Sequence, residues 1–195
     1  MNCSSVALLI LLSILYPQDV SAAKQRTTNS PKAMSRFKSI RCATDNVTVS
    51  VIYCYLKAIS RKLVTANVGV KILIPMHKIG IQFILNYRYG LIFRPVIDTK
   101  YQDWCAIMKG ADTNPYIKLL IDIVKETASS GIHRCPYTDE FHIDNVTINY
   151  DKVDPTALFP EGTYKIQVLV FVGKKEVMRL ELDEEVKSPL KETFG

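Results

Sequence analysis

Hydrophobic and polar residues alternate along most of this chain. In "VTVSVIYCY", Val47, Val49, Val51, Tyr53 and Tyr55 fall on one face, with Thr48 and Ser50 opposite. Ala66, Val68, Val70, Ile72 and Ile74 alternate with Thr65, Asn67, Gly69 and Lys71 until Pro75. Ile79, Ile81, Phe83, Leu85, Tyr87 and Tyr89 do the same against Gly80, Gln82, Asn86 and Arg88. Period-two runs of this kind predict antiparallel strands with one wet and one buried face. Leu91 to Asp98 reads as a further short strand, in which Pro95 predicts an edge or a bulge.

The period then changes. "DWCAIMKG" predicts a short helix ended by Gly110, and Asn114–Pro115 supplies an N-cap and first position for a longer one. Tyr116, Leu120, Ile123 and Thr127 recur at helical spacing as its apolar face, and Ser129, Ser130 and Gly131 end it. Strands resume after Pro136, through Val146, Ile148 and Tyr150. A turn at "PEG" (160–162) follows, then a hairpin of Tyr164, Ile166, Val168, Val170 and Val172 against Met178, Leu180 and Leu182 around Gly173–Lys174. Strands, a helical insertion and strands again predict a mostly β fold: an antiparallel β-sandwich or β-cup with a short helical insertion near one rim.

The apolar run "VALLILLSIL" followed by "VSAA" has the form of a secretory signal peptide cleaved after Ala22 or Ala23. Its ten residues rise only about 15 Å as a helix, half of what a bilayer core requires. The expected organisation is a signal over 1–23, a flexible polar segment over 24–36, one domain over 37–182 and a frayed polar tail over 183–195. Localisation is expected to be extracellular, without stable membrane insertion. With Asp19 removed, 25 cations face 18 acids, a charge of +7. The cations are scattered, so this excess is read as solubility and not as a patch for acidic headgroups or sulfated glycans.

Secretion gives the cysteines their meaning. Cys3 leaves with the signal, and Cys42, Cys54, Cys105 and Cys135 remain for two disulfides. Their gaps are too wide for paired zinc spacing, so no metal and no cofactor is expected. Three pairings are possible. Cys105–Cys135 is favoured because it encloses the helical insertion and little else, leaving Cys42–Cys54 to link the first two strands. "NVT" at Asn46 and at Asn145 supplies two N-glycosylation acceptors, both expected on polar strand faces.

"CYLKAISR" (54–61), "FRPVIDTKYQDWC" (93–105), "HRCPY" (133–137) and "FPEGTYKIQV" (159–168) together resemble a large insect family of small secreted proteins classed as a domain of unknown function. Phe93 stands where that family usually carries Tyr before Arg-Pro. The resemblance implies a remote kinship with the lipid-recognition superfamily, which includes the ganglioside activator and chemosensory relatives. Those are β-cups that hold acyl chains or other apolar ligands between two sheets.

The residues themselves carry little chemistry. His77, His133 and His142 occur in no metalloprotease motif, no nucleophile elbow is present, and no enzymatic activity is expected. "YRYGLIFR" (87–94) interleaves aromatic and basic residues, but a secreted glycoprotein is no partner for nucleic acid. Its apolar members are expected in the core, with Arg88 and Arg94 outside. The apolar stripes predict instead a cavity for a lipid or other small hydrophobic ligand, in a chemosensory or pheromone-related carrier. Val68, Val70, Ile72, Ile81, Phe83, Leu85, Val168 and Val170 would line it, with Trp104 and Tyr116 near the opening. A chain of about 12 methylenes at about 0.8 kcal/mol each would gain roughly 10 kcal/mol gross. The alternative is an extracellular interaction module with a filled core, acting on a receptor or another secreted partner.

Overall fold

A computed structural model describes residues 34–61, 63–127, 132–147 and 160–187. The expected signal, the polar segment up to residue 33, the expected helix stop at Ser129, Ser130 and Gly131, Ile148, Tyr150 and residues 188–195 lie outside the described residues. Two antiparallel sheets form a β-sandwich. The larger runs in the order β1 (Met34–Thr44), β9 (Lys175–Lys187), β8 (Gly162–Val172), β4 (Ile79–Tyr89), β5 (Ile92–Asp98), with the short β6 (Gln102–Asp103) also on β4. The smaller is β2 (Val49–Ala58), β3 (Val64–Ile72), β7 (Glu140–Val146). Helices α1 (Trp104–Ile107) and α2 (Pro115–Thr127) fall between β6 and β7, where the change of period places them.

The pattern explains most of these elements. β3 is the middle strand of the smaller sheet and is buried along its length except at Lys71. β5 is an outermost strand, which is where a proline without an N–H is tolerated, and its register against β4 shifts next to Pro95. Asp103 caps α1 by accepting the Ala106 N–H at 2.9 Å, and Asn114 accepts the Tyr116 N–H at 2.9 Å at the start of α2.

The structure corrects the simple stripes at four points. A bulge in β2 between Val51 and Tyr53 inverts parity. Cys54 and Leu56 therefore take the inward positions, while Tyr53 turns outward to lie over Gly69, where any Cβ would collide with its ring. The apolar face of α2 is Ile117, Leu120, Ile121 and Val124, one residue (about 100°) round from the expected one. That set follows the i, i+3, i+4, i+7 spacing of a packed stripe.

The C-terminal charges are not frayed up to Lys187. Leu182, Glu184 and Val186 point inward, while Asp183 and Glu185 face Lys165 and Lys38 on the outer side of a strand paired on both edges. Pairing with β9 likewise carries order back to Met34, so the domain exceeds 37–182 at both ends. Finally, the β4–β5 tip is not in the core: Tyr89, Leu91 and Ile92 are 53%, 89% and 61% exposed.

Two carboxylates tie turns together. Asp45 accepts the Val47 and Thr48 N–H groups, the Thr48 hydroxyl and Lys175 Nζ at 2.7 Å, joining the β1–β2 turn to the β8–β9 turn. Lys175 above all holds its carboxyl well below the usual range. Asp98 accepts the Lys100 ammonium and N–H and the Gln82 amide, and is brought down to about 2. Groups depressed in the folded state stabilise it above their unfolded pKa and lose that contribution as pH falls through the folded one. The thermal midpoint is thus expected to hold from neutral pH to about 4 and to fall between about 4 and 2. In Asp98→Asn that decline should be shallower, as measured by melting across an acid series.

Candidate functional site

The two disulfides define the space between the sheets. Cys42 on β1 bonds Cys54 on β2, joining an outer strand of the larger sheet to an outer strand of the smaller. Cys105 in α1, directly after β6, bonds Cys135, which precedes β7, the opposite outer strand of the smaller sheet. One covalent clasp therefore closes each lateral side of the sandwich. α2 packs against β7, with Ile117 fully buried and Leu120 and Val124 turned towards the interior.

Beneath α2, between the sheets, is a cavity of about 170 Å³. Val49, Val68, Val70 and Ile72 of the smaller sheet face Ile79, Ile81, Val168, Val170, Met178 and Leu180 of the larger across it. Among the described lining residues, only Trp104 and Tyr137 carry a side-chain nitrogen or oxygen. Trp104 Nε1 donates to Tyr137 Oη at 3.3 Å, and Tyr137 Oη donates to the His133 carbonyl at 2.8 Å. Both polar atoms are spent on the protein, so the wall offers a ligand carbon and thioether sulfur. A site of this composition discriminates by volume and shape and not by hydrogen bonding.

Of the ten expected lining residues, the structure places Val68, Val70, Ile72, Ile81, Trp104, Val168 and Val170 around the cavity. Leu85 belongs instead to a second core cluster with Phe37, Val64, Tyr164 and Leu182. It shares the β4 stripe with Ile81 but lies about 14 Å further along the strand. Phe83 packs against both clusters and walls the cavity in neither. Tyr116 is carried off the lining by the rotated face of α2. Trp104 is a buried wall residue, 8% exposed, and not a residue of the opening.

Sequence patterning missed Tyr137, Phe141 and the α2 residues. The signal for Tyr137 was in "HRCPY" itself. Its backbone exchanges both hydrogen bonds with Met76, its ring stacks on His133 at 4.2 Å, and its hydroxyl receives Trp104. "DWC" and "CPY" thus meet twice in parallel, through Cys105–Cys135 and through Trp104–Tyr137. Tyr137→Phe should leave the indole N–H without its partner in an apolar wall, at a cost of about 1–3 kcal/mol. Urea unfolding checks this, with little change expected in cavity volume.

Both glycan acceptors are exposed, but on turns and strand ends. Asn46 sits in the β1–β2 turn at φ 53°, and Asn145 near the end of β7 at φ 56°, where its N–H donates to Asn67 Oδ1. On the outer face of the smaller sheet, Tyr53 Oη lies 3.0 Å from His142 Nδ1 and donates to Asp144 at 2.9 Å. Burial, with Asp144 beside it, pushes the phenol up to about 12. Among the described residues no cluster of His, Cys, Asp and Glu is suited to a metal ion, and no helix is long and apolar enough to cross a membrane.

Residues 81–166 match a family model described as a protein of unknown function, DUF1091. The matched stretch contains the "DWC" and "CPY" motifs, both described helices and less than half of the cavity wall. A search of curated proteins finds none that matches the chain.

Proposed function

We propose that the protein is an extracellular binding protein, without chemistry of its own, that holds a small apolar molecule or one end of a longer chain between its sheets. The observation that carries this reading is the cavity of about 170 Å³, in whose described lining the two polar side-chain atoms are already paired. An engineered apolar cavity of about 150 Å³ stays dry and accepts benzene or xenon, so the space here suits about six or seven carbon atoms.

That volume revises the expected ligand. A chain of about 12 methylenes exceeds that space, so part of it would remain outside the sheets. About six buried methylenes gain roughly 5 kcal/mol gross, a dissociation constant near the millimolar range before losses. A short semiochemical-sized molecule meets this limit, and so does the tail of an amphiphile whose head stays in water. Two disulfides and two exposed sequons support an extracellular setting. The kinship with lipid-recognition proteins that the sequence blocks imply belongs to the same reading.

Methyl NMR provides the test. Adding a straight-chain alcohol of about seven carbons should shift the methyls of Ile81, Val168, Val170 and Leu180 saturably, leaving those of Val64 and Val186 in place. Uniform small shifts across both groups, or none, would refute the reading and leave a protein with a closed core.

A further inference from the structure

Two hairpin tips border the second core cluster, which contains no residue of α1 or α2. Leu56 and Val64, which flank the β2–β3 loop, and Tyr87, which leads into the β4–β5 turn, all belong to the second core cluster. The β4–β5 turn has two central residues. Gly90 takes φ 62° at the first, which leaves Leu91 at the apex with its side chain 89% exposed. Ile92 and Tyr89 flank it, also in water. In the neighbouring loop Ile59 and Leu63 are 50% and 41% exposed.

Cations surround these apolar tips. Arg88 and Arg94 lie on opposite faces of the first hairpin, and Lys57 and Arg61 on the second are exposed. Among the described residues neither Arg88 nor Arg94 enters an ion pair. Arg94 instead lies over the Tyr89 ring at 6.0 Å, and Arg88 Nε donates to the Gly90 carbonyl at 2.9 Å. An apex of leucine and isoleucine flanked by two guanidinium groups, with Glu161 the nearby exposed acid, has the chemistry of a surface that enters a lipid interface and pairs with its negative headgroups.

We propose that this pole docks the protein on an anionic lipid surface, with Leu91 and Ile92 entering the interface and Arg88, Arg94, Lys57 and Arg61 meeting the headgroups. The site is remote from the cavity and does not rest on the binding of a ligand there.

Co-sedimentation of the full protein with phosphatidylcholine vesicles carrying roughly 30% phosphatidylserine is the test, run beside pure phosphatidylcholine. Binding should be about tenfold or more stronger to the anionic vesicles and should weaken with salt. Leu91→Asp with Ile92→Asp, and separately Arg88→Ser with Arg94→Ser, should each weaken it by about tenfold or more. These positions are exposed, so unchanged melting would confirm folding. Lys174→Ser, on the turn at the opposite end, should have no effect. In Leu91→Trp the emission should move to the blue on binding, against the already buried Trp104, the protein's one tryptophan. No binding to anionic vesicles, binding that both tip variants leave intact, or retention by a sulfated glycan in place of vesicles would overturn the proposal.

Discussion

Replacing all four cysteines of the clasps by serine is expected to unfold the protein at room temperature. In the chain-entropy account the 12-residue closure of Cys42–Cys54 contributes about 3 kcal/mol, and the 30-residue closure of Cys105–Cys135 between about 3 and 4. Their sum is comparable to the whole stability of an ordinary domain, about 5–15 kcal/mol. The single pairs should differ in kind as well as size. Without Cys42–Cys54, β1 keeps its place in the larger sheet through its long ladder with β9, and β2 its place in the smaller through β3. Without Cys105–Cys135, the Trp104–Tyr137 hydrogen bond alone ties "DWC" to "CPY", and the cavity wall loosens. Urea denaturation of each pair variant, beside the four-serine protein, checks the order: intact, then Cys42–Cys54 removed, then Cys105–Cys135 removed, then unfolded.

Val170→Phe should remove ligand binding while leaving the fold in place. Val170 lies on β8 between Ile81 of β4 and Met178 of β9, and all three line the cavity. The larger ring has empty space to enter, so the usual 1–3 kcal/mol cost of overpacking should be absent and the melting temperature should stay level or rise. Affinity for a seven-carbon alcohol should drop by about tenfold or more, since the space for several of its carbons is gone. The same exchange at Val186, in the full second cluster, should destabilise without affecting binding. Calorimetry on the two variants separates these outcomes. A Val170→Phe protein that melts well below the parent would mean that the site was already filled.

The sequence carried the sandwich and much of the wall, for a definite reason. In β3, β4 and β8 the inward side is apolar at alternate positions, so Val68, Val70, Ile81, Val168 and Val170 could be placed by parity alone. The clasps were accessible because Cys105 and Cys135 bracket the helices. What failed were features fixed by tertiary packing. The bulge after Val51 has no local signature, yet it moves Tyr53 outward and brings Cys54 in line with Cys42. The α2 face could be drawn two ways, and only contact with the sheets selects Ile117, Leu120, Ile121 and Val124. The β4–β5 tip looked like core because its residues are apolar, although a two-residue turn must leave its apex in water. Cavity size was illegible, because it is the small difference between the span held by two clasps and the volume of side chains filling it.

Trp104 emission gives the most direct measure of the cavity, since the protein's one tryptophan forms part of its wall. Titration with straight-chain alcohols from about four to about twelve carbons should give saturable changes. Affinity should rise about fourfold per added carbon, at about 0.8 kcal/mol each, and level off near seven. No saturable change, or affinity that climbs unbroken to twelve carbons, would contradict a site bounded at about 170 Å³.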